Sequence, residues 1–417
     1  MTDRLYYVDP YLREFDATTE RIESRDGRIV VTLDRTAFYP TSGGQPFDTG
    51  TIGPFRVVEV IDEDEGTISH VIEPGTGNRE PRTENQNENP DLRPPNPEPG
   101  QTLHATINWQ RRFDHMQQHT GQHVLSAAFE RLFRIRTVSF HLGAEVSTID
   151  LAREASPAEI EAAEDEANRV VWEDRAVSIR FVSAEEAATL PLRKEPVRGG
   201  TLRLIDVDGF DLSACGGTHV ARTGGIGVIA VSRWDRFKGG QRLEFVCGGR
   251  ALRAYRTLRD ATAGSVRLLS VLPEELPVSI ERLQSDLRDQ KRRVTAAHED
   301  LARYRAVELA AEAEQVGGVR LVSQSLDADA GTLKSMAAAI AARPGFVAAL
   351  WSSASPTLIV IARADDVNLS AQQVLSTLVA RFGGRGGGRP ELAQGGGLVG
   401  STDDIAAAVL DAVSLRS

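Results

Sequence analysis

A chain of 417 residues has room for two to four domains of ordinary size, each long enough to bury its own core. With 41% hydrophobic and 26% charged residues it is too apolar to be disordered throughout, and its longest apolar runs are too short for a membrane-spanning helix. The net charge of −11 argues against indiscriminate binding to nucleic acid, which needs a basic field over much of the surface, but it leaves room for a local basic patch. No apolar segment of signal-peptide type follows Met1, and two cysteines cannot build a disulfide framework, so the expected location is the cytoplasm.

In chain order, residues 1–75 read as β-strands of a small barrel or sandwich, with a barrel the expected form: Arg28-Ile29-Val30-Val31-Thr32-Leu33 and Phe55-Arg56-Val57-Val58-Glu59-Val60 alternate with Gly, Pro and Asp turn signals. Residues 76–100 are crowded with Pro, Asn, Glu and Arg and carry almost nothing to bury, which predicts a solvated loop. Residues 101–255 form the next domain, with helices expected over 114–133 and, after Ser156-Pro157, over 158–172; strand signals return from 202 to 245. A long helical arm is expected over 268–316, where Ile280, Leu283, Leu287, Val294, Ala297, Leu301 and Tyr304 fall on three- and four-residue steps. Alternating helical and β-rich segments over 317–417 predict a small α/β domain. The fold class is α+β and multidomain.

His119 and His123, four apart on a predicted helix, lie on one face about a turn apart. Cys215-Gly216-Gly217-Thr218-His219 adds a thiol and an imidazole, with two glycines that permit a tight backbone path. Together the four make a mixed S and N donor set that suits Zn²⁺ better than hard Mg²⁺ or Ca²⁺. Two readings of such a metal stay open: a closed structural site, since four protein ligands leave no position for water, and a site that takes part in chemistry. His115 and His141 read as structural, and Cys247 as a small buried hydrophobe.

These residues carry a resemblance. Residues 36–50 (Thr36-Ala37-Phe38-Tyr39-Pro40-Thr41-Ser42-Gly43-Gly44-Gln45 and onward to Gly50), His119-Thr120-Gly121-Gln122-His123 and Cys215-Gly216-Gly217-Thr218-His219-Val220 resemble the editing domain of alanyl-tRNA synthetase and its free-standing relatives, the alanyl-tRNA editing proteins. The likeness continues through 223–227 and 240–245, and Gly386-Gly387-Gly388-Arg389-Pro390 through Gly397 resembles the glycine-rich motif of the synthetase's C-terminal domain, which implies the long form of the editing protein. The resemblance implies that His119, His123, Cys215 and His219 bind zinc and that the reaction is hydrolysis of the ester joining serine or glycine to alanine tRNA. By the same resemblance Gln45 positions water or the ester and Thr36 reads a serine hydroxyl; the plain alternatives are a barrel turn and a β-branched strand residue.

Arg233, Arg236, Lys238 and Arg242, interleaved with Trp234 and Phe237, form the first candidate RNA-binding patch. Arg385 and Arg389, among glycines, form the second, and the alternatives are a solvated strand edge and a flexible loop. The expected partner is tRNA(Ala) mischarged with serine or glycine, without membrane, and with a homodimer through the long helix or the C-terminal domain as a further expectation. Two rival functions are a non-catalytic tRNA-binding protein with a structural zinc and a phosphoesterase of the DHH type; the latter needs an Asp-His-His cluster, whereas Asp114-His115 runs into Met116.

Overall fold

We describe the protein from a computed structural model, over residues 1–63, 66–74, 96–193 and 200–415. Most of the loop expected over 76–100 therefore lies outside the described residues. The described part divides into two compact units, Met1–Gly264 and Ser265–Ser417.

The first unit opens with a closed barrel of six antiparallel strands, in the order Glu14–Arg25, Arg28–Leu33, Ile68–Pro74, Phe55–Asp62, Gly50–Ile52 and Thr102–Ile107, which returns to the first. Alternation along these strands turns Phe15, Ala17, Val31, Leu33, Phe55 and Val57 inward, where they form the barrel core with Phe38 and Ile107. The sixth strand comes from beyond the Pro/Asn-rich stretch, so the barrel does not end at residue 75. Closing it requires a strand to pair with Glu14–Arg25, and Thr102–Ile107 supplies those hydrogen bonds in antiparallel register.

The barrel leads directly into helix α1, Trp109–Phe133, whose N-terminus is capped by the Asn108 side chain accepting from the Arg111 amide. The helix is buried on nearly every side from Met116 to Phe129, and so it runs through the middle of the unit rather than along its surface. Helix α2, Pro157–Trp172, opens with a capping box between Ser156 and Glu159. Its Ile160, Ala163, Ala167, Val170 and Val171 share one core with α1 residues Met116, Val124, Leu125, Ala128 and Phe129. Two sheets complete the unit: a four-stranded one ordered Ile229–Phe237, Gly240–Cys247, Ser147–Leu151, Thr137–Leu142, and a three-stranded one ordered Val177–Val182, Leu202–Val207, Asp211–Ala214.

One buried ion pair ties α1 to the barrel region. Arg112 and Asp48 are both fully buried, with Arg112 Nε 3.0 Å from Asp48 Oδ2, and the guanidinium also donates to the Pro10 carbonyl at 2.8 Å and to the Ala37 carbonyl. Asp48 in turn accepts from the Tyr39 amide at 2.7 Å.

The second unit is a mixed six-stranded sheet ordered Glu314–Val316, Val319–Leu326, Phe346–Ser352, Thr357–Arg363, Leu392–Leu398, Arg385–Gly388, with helices packed on it. The glycine-rich motif forms its edge hairpin rather than a free loop, Arg385–Gly388 pairing with Leu392–Leu398. The long helix spans Leu276–Ala311. Its buried positions are Ala302, Ala306 and Ala310, which pack with Leu333, Met336 and Ile340. The larger residues on the predicted stripe, Ile280, Leu283, Leu287, Val294, Leu301 and Tyr304, are exposed. Small side chains let this helix approach its neighbour closely, which the apolar period alone does not reveal.

Candidate metal centre

His119 and His123 project from α1, where the i, i+4 step sets their rings edge to face with centroids 5.4 Å apart. Cys215 and His219 come from the loop that follows strand Asp211–Ala214. The four ligand atoms lie within 4.8 Å of one another. His119 Nε2 and His219 Nε2 are each 3.4 Å from Cys215 Sγ. Among the described residues this is the group of histidine, cysteine and carboxylate side chains placed to hold a metal ion.

What turns each ring is a bond on its far side. His119 Nδ1 donates to Gln45 Oε1 at 2.8 Å, His123 Nδ1 to Asp211 Oδ2 at 2.9 Å, and His219 Nδ1 to Thr120 Oγ1 at 3.2 Å. Thr120 accepts there because its own hydroxyl hydrogen goes to the Met116 carbonyl at 2.8 Å. All three histidines thus carry hydrogen on Nδ1 and present the Nε2 lone pair inward, the tautomer that metal ligation needs, with outer partners of the kind that orient metal-bound imidazoles. The donor set fits a tetrahedral cation that accepts sulfur and nitrogen.

The electrostatics follow from the same contacts. Burial pushes the Cys215 thiol up, but the His119 and His219 rings beside it outweigh burial and hold it well below the usual thiol range. Burial, with the neighbouring His119 ring, lowers His219 to about 3. For His123, burial is outweighed by the bond to Asp211, which raises it. Burial alone would raise Asp211, yet the bonds from His123 and Arg193 keep its carboxylate well below the usual range.

Gly43 and Gly44, at φ +54° and +84°, make the tight turn that aims Gln45 at His119. Gln45 is fully buried; its Oε1 also accepts from the Thr218 amide at 3.1 Å, and its Nε2 donates to Thr218 Oγ1 at 2.9 Å. Its carboxamide therefore spans the two halves of the cluster. Gly216 and Gly217 do not need a left-handed backbone. Gly217 is needed for space, since a Cβ there would overlap the His119 ring.

Thr36 lies in a short strand beside the barrel, its hydroxyl donating to His70 Nε2 at 2.8 Å and accepting from the Phe38 amide at 3.1 Å. His70 is itself fixed by its Nδ1 bond to the Val31 carbonyl. The cluster opens instead on a cavity of about 700 Å³ lined by Gln122, His123, Ser139, Phe140, Arg193 and Cys215 among others.

Of the basic residues, Arg233 pairs with Asp235 and Arg236 with Glu154 on the exposed strand Ile229–Phe237, while Lys238 lies over the Phe237 ring. Exposed pairs of this kind exchange readily for phosphate. Arg242 is more firmly held: it gives two bonds to Asp150 at 2.7 and 2.9 Å and stacks on Phe237. Arg385 and Arg389 are exposed. His115 and His141 stand outside the cluster, Asp114 is tied to Arg250, and burial keeps the Cys247 thiol protonated.

Asp211 and Arg203 lie outside the sequence motifs, and Thr120 and Thr218 lie inside them with no role read for either. The Arg203 guanidinium donates to the Tyr7 carbonyl at 3.0 Å and to the Cys215 and Gly217 carbonyls at 2.7 and 2.9 Å, clamping the loop that carries Cys215 and His219. The only sequence signal for Asp211 is a carboxylate four residues before the cysteine, within the strand signals of 202–245.

Known proteins share this arrangement of segments. The family described as the threonyl and alanyl tRNA synthetase second additional domain matches residues 202–244, which include Cys215 and His219, and the DHHA1 domain matches residues 317–415. The alanyl-tRNA editing protein AlaX-L of Pyrococcus horikoshii is 30% identical over 404 residues, covering 95% of this chain and 94% of its own length. The chain belongs to the alanyl-tRNA editing protein family. It is also 31% identical over 403 residues to the alanine–tRNA ligase of Pyrococcus furiosus and 33% identical over 414 residues to that of Natronomonas pharaonis. It spans 42% of the length of each of those ligases. Within this family frame, both units of the editing protein have a counterpart in AlaX-L, since the match runs over nearly the whole of both chains.

Proposed function

We propose that this protein is a trans-editing hydrolase that removes serine or glycine from mischarged tRNA(Ala), with Zn²⁺ held by His119, His123, Cys215 and His219. The observation that carries the reading is the convergence of three imidazole nitrogens and the Cys215 sulfur beside a cavity of about 700 Å³, a size suited to an aminoacyl group with part of its terminal nucleoside. The nearly full-length match to AlaX-L supports the same reading.

Bound zinc would supply positive charge to stabilise the negative charge that develops on an ester carbonyl under attack by water. The chain supplies orientation. Asp211, Gln45 and Thr120 fix the three rings, Arg203 holds the ligand loop, and Phe140 gives the cavity an apolar wall against the His119 ring, with centroids 5.5 Å apart. Gln45 acts through His119 and Thr218, whereas the Thr36 hydroxyl is engaged by His70 and the Phe38 amide. Editing is needed because a pocket shaped for alanine rejects glycine or an added hydroxyl by only about 1–3 kcal/mol. Arg233, Arg236 and Lys238, with Arg385 and Arg389, are the proposed phosphate contacts. The exposed stripe from Ile280 to Tyr304 is the proposed homodimer face. Among the described residues no helix is long and apolar enough to cross a membrane, and a tRNA substrate places the work in the cytoplasm.

The test is deacylation of Ser-tRNA(Ala), with Ala-tRNA(Ala) and Ser-tRNA(Ser) as controls, before and after chelation. Selective, chelator-sensitive release of serine from the alanine tRNA is expected, and His123→Ala is expected to abolish it while tRNA affinity persists. Unchanged tRNA binding with no release from any substrate would favour a binding module with a structural metal.

A further inference from the structure

Gln122 stands between the two α1 ligands and is only 3% exposed. Its Nε2 donates to Ser126 Oγ at 2.9 Å, and Ser126 Oγ also accepts from Thr137 Oγ1 at 2.8 Å, so the carboxamide is held from behind. Its Oε1 has no partner among the described residues, and the side chain lines the cavity beside His123 and Cys215. A buried acceptor left without a donor is a standing cost, which disappears when something entering the cavity supplies the hydrogen. Two turns further along the same helix Glu130 lines the same cavity, so the α1 wall presents acceptors, one of them charged.

We infer that Gln122 Oε1 accepts a hydrogen bond from the α-ammonium group of an aminoacyl ester seated in this cavity; the inference rests on the deacylase reading above. In an α-amino ester the ammonium is one carbon from the reacting carbonyl, so it enters wherever that carbonyl approaches the cluster. A cationic donor also makes the stronger bond to a carbonyl acceptor in a site screened from water. The contact would hold the ester by a group that serine, glycine and alanine share, leaving discrimination between them to other residues.

The test uses three amide analogues of the acylated terminal nucleoside: 3′-deoxy-3′-(L-serylamino)adenosine, its 3-hydroxypropanoyl counterpart, which lacks only the amine, and its L-alanyl counterpart, which lacks only the hydroxyl. Dissociation constants are measured by calorimetry on wild type, Gln122→Leu and Gln122→Glu in the full chain. The leucine variant is expected to weaken the two amine-bearing analogues by about 10- to 100-fold and to leave the amine-free one within about twofold. The glutamate variant is expected to raise the preference for amine-bearing over amine-free ligands. Ratios between ligands on one preparation do not depend on how much of a variant folds. Equal losses on all three analogues, or losses that follow the hydroxyl instead of the amine, would overturn the inference while leaving the deacylase reading intact. Failure of wild type to bind any analogue would overturn that reading, and this inference with it.

Discussion

Replacing Arg112 with Met tests whether the buried pair with Asp48 anchors the helix that carries His119 and His123. The substitution keeps an apolar stem of similar length and removes the guanidinium. Asp48 then keeps the Tyr39 amide at 2.7 Å but loses its counter-ion, and the Pro10 and Ala37 carbonyls lose a donor each. Stranding one member of a fully buried pair costs about 3–5 kcal/mol, which converts to a factor of about 10²–10⁴ in an opening equilibrium. Hydrogen exchange of the α1 amides over residues 116–129 reads this locally, without requiring both units to unfold together. Asp48→Asn alone should cost a similar amount by stranding the cation. The double variant should cost at least about 2 kcal/mol less than the sum, because the charges are removed together. Protection reduced by less than about fivefold in Arg112→Met, or strictly additive single variants, would refute the claim that the pair works as a unit.

Asp211→Asn should weaken metal binding by about 10- to 100-fold in chelator competition while the fold persists, since it removes the charge that orients His123; unchanged affinity would show that Arg193 and the backbone suffice to place the ring. His70, lowered to about 4 by burial, stays neutral in the folded protein while the unfolded chain takes up a proton below about 6.5. Its contribution is therefore complete above that pH and is lost as pH falls toward 4, about 3 kcal/mol in all; an NMR titration of its ring with a midpoint near 6.5 would contradict this. Gly121→Ala would drive a methyl group into Cys247 Sγ. It should cost about 1–3 kcal/mol in denaturant unfolding, and adding Cys247→Ala should recover most of that loss.

The meeting of His119, His123, Cys215 and His219 was legible because their signals are local. An i, i+4 histidine pair and a Cys-Gly-Gly-Thr-His segment each specify spacing within a few residues, and helix or loop geometry converts that spacing directly into position. The helices expected over 114–133 and 158–172 were legible through period and, for the second, its capped start, while the first begins five residues earlier, at Trp109 behind the Asn108 cap. What the spacing could not carry was the reason for Gly217, which turned out to be the volume of the His119 ring and not backbone conformation.

Chain order and local period by themselves determined the β-rich opening, the pairing of the candidate ligands and the presence of both central helices, and motif resemblance carried the family. Only the tertiary structure decided which strand closes the barrel, which face of the long helix is buried, and which side chains stand behind each histidine. Closure by Thr102–Ile107 depends on pairing with strand Glu14–Arg25 far away in sequence. The burial of Ala302, Ala306 and Ala310 depends on how close a neighbouring helix can come. The bonds of Asp211, Gln45 and Thr120 to the three rings join residues 88, 74 and 99 positions apart. No local pattern encodes such contacts, because a hydrogen bond depends on the distance between two atoms in space and not on their separation along the chain.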